Sequence, residues 1–387
     1  MEFSWTPDQL ALRRSVEEFA RDALAGLPES PGGDHSFPRE AWRRCAEFGI
    51  LGLCVPEPFG GAGLDPLTAV FALEGLGLTC RDNGLLFALN AQMWSVQAPL
   101  LRFGTPEQQE RYLRPLVGGE LIGANAMTEP ESGSDTFALG TTAQRDGDAY
   151  RLNGAKTFTS NAPVANVFLV FATRNPAHGF LGISAFLVER DTPGLRVGRP
   201  IEKMGLTSSP MSEVILEDCR VPLAQRLGGE GNGGTIFRHS MAWERCCILA
   251  TCLGTMAWQL EQVTGFARTR RQFGRTIGGF QAVSHRIVEM RVRLDGVRFL
   301  LFHAAWLLAR GETAAAEIAI AKLAVSEAFV QSSLDVIQIH GGYGYATDSG
   351  YDRDLRDAVW SRIYSGTSEI QREIIARALG LDDEVRT

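Results

Sequence analysis

The order of apolar and polar positions divides the chain into three stretches. From Thr6 to about Gly119, apolar residues recur at helical intervals. Leu10, Val16 and Phe19 follow the start signal Thr6-Pro7-Asp8, and Trp42, Cys45 and Ile50 form a second stripe. Pro66 to Leu78 and Leu85 to Phe103 continue the pattern across turns such as Pro56-Glu57-Pro58-Phe59-Gly60-Gly61. Thr105-Pro106-Glu107-Gln108 opens one more helix, with proline in its first turn. From about Leu121 to Gly234 the period shortens. Val164 to Ala172 and Gly182 to Val188 are short runs rich in β-branched and aromatic residues. Met211 to Leu216 reads as a strand running into a loop at Glu217-Asp218-Cys219-Arg220-Val221-Pro222. Asp146-Gly147 and Asn153-Gly154 read as hairpin turns. These features predict a β-barrel or sandwich. From about Thr235 the pattern is helical again. Gln281 to Arg310 sets Val283, Ile287, Met290, Leu294, Val297, Leu301 and Leu308 near one face, and Glu312 to Ile339 carries a matching stripe. A last helix, Gly366 to Leu379, ends at Gly380. The expectation is an α+β multidomain chain: a helical domain over residues 1–120, a β-domain over 121–234 and a helical bundle over 235–387.

Composition narrows the role. Hydrophobic residues make up 45% of the 387 positions and charged residues 21%, the balance of a chain with a sizeable core rather than a disordered one. The net charge of −7 argues against a nucleic-acid partner. No apolar run is long enough to span a bilayer; Phe299 to Ala309 is short and holds His303. The start, Met1-Glu2-Phe3-Ser4-Trp5, lacks a charged-then-apolar signal pattern, so a cytoplasmic location is expected, with no membrane partner. Cys45, Cys54, Cys80, Cys219, Cys246, Cys247 and Cys252 show no C-x-x-C pair and no histidine at metal-ligand spacing. They read as small core residues in a reducing compartment, and no metal site is expected.

Five local motifs go further. They are Met127-Thr128-Glu129-Pro130-Glu131-Ser132-Gly133-Ser134-Asp135; Leu152 to Ala162, with Phe158-Thr159-Ser160; Arg270-Arg271-Gln272-Phe273-Gly274 with Phe280-Gln281; Gln338-Ile339-His340-Gly341-Gly342 with Arg353-Asp354-Leu355-Arg356-Asp357; and Ile363-Tyr364-Ser365-Gly366-Thr367-Ser368-Glu369. In this order they resemble the acyl-CoA dehydrogenase family over essentially the whole chain. The resemblance implies an N-terminal helical domain, a central β-barrel domain and a C-terminal four-helix bundle, with FAD between the last two. It implies oxidation of an acyl thioester at Cα–Cβ: a carboxylate removes the α-proton while the β-hydrogen leaves as hydride to flavin N5. A thioester α-proton is too weakly acidic for an unaided carboxylate, so donors must stabilise the enolate-like oxygen in a water-poor site.

Carried over residue by residue, Asn125 to Ser134 looks like the loop lining the flavin ring, with Met127, Thr128 and Ser134 facing flavin or substrate. Phe158, Thr159 and Ser160 resemble the second flavin-facing strand; Phe158 keeps a flat ring for stacking where the family often has Trp. Ser160 keeps a hydroxyl where it often has Thr. Arg270, Phe273 and Gln281 resemble the segment that reaches the FAD of a neighbouring subunit, where a guanidinium suits a pyrophosphate. Gln338, Gly341 and Gly342 resemble the loop that holds the adenosine end, also across an interface. Thr367 and Glu369 open the last helix, whose free N–H groups suit a phosphate or ring oxygen. By themselves Arg270 reads as a surface charge, Gly341, Gly342 and Gly344 as a turn, and Arg353, Asp354, Arg356 and Asp357 as a structural ion-pair cluster. His340 reads as a packing residue.

Two departures matter. Many members carry the catalytic glutamate just before the Gly-Thr of the last motif, where this chain has Ser365. A minority branch places it on an earlier helix, directly before an arginine. Met241-Ala242-Trp243-Glu244-Arg245 stands there, so Glu244 is the expected base, with Arg245 orienting the site. The Ser365 and Gly366 backbone is then left for the thioester oxygen. Taken without the family, a Glu-Arg dipeptide would be a surface pair. Relatives acting on CoA esters often have aspartate where Ala242 stands. Together these features resemble members that desaturate an acyl or prolyl group on a carrier protein in secondary metabolism. The alternatives are a CoA-ester dehydrogenase of fatty or branched-chain catabolism, an oxidase using oxygen, and an inactive flavin- and thioester-binding subunit. Electron-transfer flavoprotein or oxygen is the expected acceptor, and a homo-oligomeric dimer of dimers the expected assembly.

Overall fold

The computed structural model describes residues 4–24 and 37–381; Met1, Glu2 and Phe3 of the N-terminal reading lie outside them. The chain begins with α1 (Pro7–Phe19), α2 (Arg39–Phe48), α3 (Pro66–Thr79) and α4 (Asn83–Gln92). Thr6 and Gln9 close a reciprocal capping box at the start of α1, and Asp65 caps α3. A π-helical turn, Met93–Gln97, joins α4 to α5 (Ala98–Phe103).

Eight strands follow: β1 (Gly123–Ala126), β2 (Thr142–Asp146), β3 (Ala149–Ser160), β4 (Val167–Thr173), β5 (Ile183–Glu189), β6 (Leu195–Val197), β7 (Met211–Pro222) and β8 (Arg226–Leu227). They form one sheet in the order β6-β7-β3-β2-β4-β5-β8, with β1 parallel to β4. Inward side chains of seven strands meet in one core, among them Ala126, Tyr150, Phe168, Phe186, Leu195 and Val214. The sheet is therefore rolled into an open barrel rather than flat. Alternate residues of β4, Val167, Leu169 and Phe171, turn instead toward Ile236 and Phe237, so this strand is apolar on both faces.

Asp146 and Ala149 pair across the turn Gly147-Asp148, a hairpin as predicted. Asn153-Gly154 is not a turn; it lies inside β3, at a register shift against β7. Asn153 bonds Asp218 through both its amide atoms. A Cβ on Gly154 would meet Thr141 Oγ1 at 2.4 Å. The dipeptide marks a bulge that lets two strands approach, a use of Gly that turn chemistry does not separate from a hairpin. Likewise β7 continues through Pro222, beyond the loop expected at Glu217.

The C-terminal helices are α6 (Gly233–Cys247), α7 (Ala250–Thr269), α8 (Gln281–Ala309), α9 (Ala315–His340), α10 (Tyr351–Ser361) and α11 (Ser368–Ala378). They share one apolar core with the N-terminal helices, running from Val16 and Leu73 to Leu253, Leu301 and Val325. The crossing of α3 and α7 depends on two glycines. A Cβ on Gly77 would lie 2.1 Å from Thr251 O, and one on Gly254 2.1 Å from Glu74 O. At that crossing the fully buried Glu74 carboxylate pairs with Arg13 of α1 at 3.2 Å and Arg298 of α8 at 2.7 Å. Asp354 of the Arg-Asp motif pairs with Arg81 at 2.6 Å, and Asp357 accepts from Leu206 N and Asn83 Nδ2. His340 packs on Tyr351, its Nδ1 2.8 Å from Val336 O. No disulfide joins any two of the seven cysteines. Among the described residues no helix is long and apolar enough to cross a membrane.

Candidate active site

A cleft of about 370 Å³ opens between the sheet, α4 and its π turn, α6 and the turn before α11. Glu244 sits at its buried side. Helical spacing along α6 brings Phe237, Met241, Glu244 and Arg245 to the cleft, while Cys246 and Cys247 turn into the core. Opposite Glu244 stands Ser365, in the left-handed region at φ 54°. Its hydroxyl donates to the Glu244 carboxylate. Its carbonyl accepts from Arg245 Nε at 2.7 Å, and the next carbonyl, of Gly366, accepts from Gln371 Nε2 at 2.8 Å. Gly366 has φ 90°, and a Cβ there would meet Gln371 and Arg245 at 3.0 and 3.1 Å. The turn therefore needs glycine on both conformational and steric grounds. The amides of Ser365, Gly366 and Thr367 donate to no described residue, so three N–H groups remain for a ligand beside the carboxylate.

Burial pushes the Glu244 carboxyl above its ordinary range; the Ser365 hydroxyl, Arg245, Lys322 and Ser95 pull back less strongly. The result is a carboxylate of raised basicity beside uncommitted donors, the pairing that proton abstraction next to a carbonyl requires. Ser95 comes from the π turn, whose extra residue per turn re-aims side chains toward the cleft.

The opposite wall is the β1–β2 loop and the end of β3. Lys156, fully buried, donates to Glu129 Oε1 at 2.7 Å and to Met127 O at 3.1 Å. Glu129 in turn accepts from Gly140 N at 2.6 Å and Thr141 N at 3.0 Å. Burial opposes both charges and brings Lys156 down to about 8. For Glu129 the ammonium and the amide donors win, and its carboxyl lies below the ordinary value. This pair clamps the loop that presents Thr128, Ser134 and Thr136 to the cleft. A second register shift, between Lys156 and Thr159, breaks the alternation of β3. Phe158 takes φ 52° there and its ring stands out into the cleft, 54% exposed. A non-glycine residue in that region costs about 1–3 kcal/mol, held here by the flanking ladder.

Of the residues expected around the ring, Met127, Thr128, Ser134, Phe158, Ser160 and Thr367 line this cleft, as do Glu244, Arg245, Ser365 and Gly366. Thr159 does not. It is buried on the face of the strand opposite Phe158 and Ser160, as the alternation of successive residues requires. Glu369 points to solvent beside Arg372. Arg270, Phe273, Gln281, Gln338, Gly341 and Gly342 lie outside the cleft on an exposed surface of their own. There the Arg270 guanidinium lies 5.5 Å from the Tyr343 ring, and Phe273 is 93% exposed at φ 50°.

Asn125, the start of the expected loop, lines the cleft too, and the cleft also contains groups the sequence did not single out: Ser95 and Trp360 in its wall, Gln371 beside its turn and Lys322 behind it. Asn125 Oδ1 and Trp360 Nε1 are buried without a partner among the described residues. Lys322 is fully buried and unpartnered, its ammonium 5.8 Å from the Tyr364 ring; burial and the Arg245 charge bring it down to about 7. A flat ring at Phe158, hydroxyls at Thr128 and Ser160, unpartnered polar atoms and free helix-start amides suit a planar heterocycle rimmed with acceptors and donors.

A three-part helix–sheet–helix chain with a buried carboxylate beside such a cleft defines a class. The chain belongs to the acyl-CoA dehydrogenase family: the N-terminal, middle and C-terminal domain models match residues 6–120, 124–219 and 231–380. It is 45% identical to the L-prolyl-[peptidyl-carrier protein] dehydrogenase of Pseudomonas fluorescens, over 98% of this chain and all of that one. Among solved structures it is similar to the prolyl acyl carrier protein oxidase AnaB, at 47% identity and TM-score 0.96, covering 97% of this chain and all of that one. It is also similar to PigA with FAD and proline, at 44% identity and TM-score 0.96, covering 98% and 100%.

Proposed function

We propose that this chain is an FAD-dependent dehydrogenase that oxidises a prolyl thioester held on a carrier protein. The observation that carries the chemistry is Glu244, a buried carboxylate facing the free amides of the Ser365 turn. The similarity, over nearly the whole chain, to a prolyl-carrier-protein dehydrogenase and to a prolyl-carrier-protein oxidase supports the choice of substrate. Thr128, Phe158, Ser160 and Thr367 are the residues that would hold the flavin ring. FAD, when bound, supplies the acceptor for the β-hydrogen and its electron pair.

The remaining steps belong to the protein. Glu244 takes the proton from the carbon next to the thioester carbonyl. The Ser365 and Gly366 amides donate to that carbonyl oxygen as negative charge develops on it. Arg245 and Gln371 hold the turn so that the donors do not reorganise during the reaction. Phe87, Ala91 and Met241 keep water from the carboxylate and sustain its basicity.

Arg270, Phe273, Gln281, Gln338, Gly341 and Gly342 form a surface for the FAD of a second copy, in a dimer of dimers. Each copy then has residues 1–120, 121–234 and 235–387 as its three parts. Electrons pass on to an electron-transfer flavoprotein or to oxygen; oxygen uptake during turnover separates the two.

The test is anaerobic bleaching of the flavin by matched acyl groups on a carrier protein and on CoA. The reading expects prolyl on a carrier protein to bleach fastest. Faster bleaching by fatty or branched acyl-CoA esters would replace it with a catabolic role.

A further inference from the structure

We propose that Arg238 is the phosphate-binding residue of the thioester arm, an inference that rests on the thioester reading above. Glu244 lies at the buried side of the cleft and Phe237 lies two turns earlier on α6, about 10 Å along the helix axis. Ser134 and Thr136 line the cleft, and the same loop continues into Phe137. The Phe137 ring meets Phe237 edge-on at 6.1 Å and Phe180 edge-on at 5.0 Å. Arg238, the residue after Phe237, lies over this pair. Its guanidinium carbon is 4.1 Å from the Phe180 centroid and 5.9 Å from that of Phe137.

The guanidinium is exposed and makes no hydrogen bond or ion pair with any described residue. Several other exposed arginines are spent on carboxylates, such as Arg43 on Glu40, Arg111 on Glu189, Arg151 on Asp146 and Arg196 on Glu217, and others set over rings instead, among them Arg39, Arg270 and Arg275, do not adjoin a cleft residue on α6. Arg238 is instead held in place by ring faces, which fix its position and use none of its N–H groups. A positioned planar fork with free donors is suited to two oxygens of a phosphate. A substrate arm that places its thioester at Glu244 and leaves along α6 passes this fork. The ligand is the 4′-phosphate of a phosphopantetheine arm, a diester on a carrier protein and half of a pyrophosphate in CoA, so the group itself is common to both.

The test uses the FAD-loaded protein, titrated calorimetrically with pantetheine and with 4′-phosphopantetheine. The wild type should prefer the phosphorylated arm by about tenfold or more, with the preference shrinking as salt rises. Arg238→Met, whose apolar side chain can rest on Phe180, should erase the preference and leave pantetheine binding unchanged. Arg238→Lys should keep part of it. Equal binding of the two arms by the wild type, or equal loss of both in the Met variant, would overturn the proposal. With prolyl thioesters, Arg238→Met should lower kcat/KM on the carrier protein by about tenfold with kcat retained. A loss confined to CoA thioesters would assign Arg238 to the further phosphates of CoA and overturn the proposal. A wild type that prefers the phosphorylated arm, yet is bleached by no thioester, would sink the functional reading alone.

Discussion

Two clusters of motif residues lie in one chain and differ in almost every physical respect. Around Glu244 the groups are buried, hydrogen-bonded to one another and drawn from α6 and the turn before α11. Around Arg270 and Gly341 they are exposed: Phe273 at 93%, Tyr345 at 84% and Tyr343 at 63%, with Gly274, Gly341 and Gly342, whose added Cβ would meet nothing. Large aromatic rings left in water lose the burial that usually stabilises them. The first cluster is complete within the chain. The second offers rings and a guanidinium outward, as the proposed surface for the FAD of a second copy requires.

The largest effect should follow from breaking the first cluster. Glu244→Ala removes the base and the acceptor of the Ser365 hydroxyl, and flavin reduction in stopped flow should fall by about three powers of ten. Lys156→Met strands the Glu129 carboxylate in the barrel wall. Thermal or urea unfolding should show a loss of about 3–5 kcal/mol, and FAD should be retained less well. Arg270→Ala tests the second cluster. FAD retention should weaken by about tenfold while sedimentation is unchanged from the wild type, because the change would remove the proposed contact with the cofactor and little apolar area. A variant that keeps its flavin equally well would leave that surface structural.

Smaller effects concern titration. Bleaching requires ionised Glu244, so its rate should rise with pH and then level off. Ser365→Ala removes the hydroxyl that favours the carboxylate, so the rise should move to higher pH; a move to lower pH would contradict the assignment. Lys322 has a folded value near 7, below its ordinary 10.5. Stability from its neutral form is present above that ordinary value and is lost as pH falls through about 7. Lys322→Met should therefore raise Tm more at pH 6 than at pH 9.

The two clusters also differ in how legible they were. The helix–sheet–helix order follows from periodicity, and the place of Glu244 followed from Ser365 standing where a carboxylate was expected. Bulges were not legible. Asn153-Gly154 has the composition of a hairpin turn, and only the close approach of Thr141 shows why glycine is needed inside a strand. Thr159 needs no bulge: strand alternation alone turns it to the face opposite Phe158 and Ser160. Ser95 depends on a π turn that no residue pattern announces, and Lys322 lies in none of the five motifs. Gly77 and Gly254 look like weak points in helices until the crossing of α3 and α7 is seen.

The most direct test of the account is anaerobic mixing of prolyl carrier protein with the wild type and with Glu244→Gln, a substitution of nearly equal shape. The wild type should bleach, and the glutamine variant should keep an oxidised flavin spectrum with its FAD bound. Bleaching of the variant at the wild-type rate would remove Glu244 from the chemistry and send the search for the base elsewhere in the cleft.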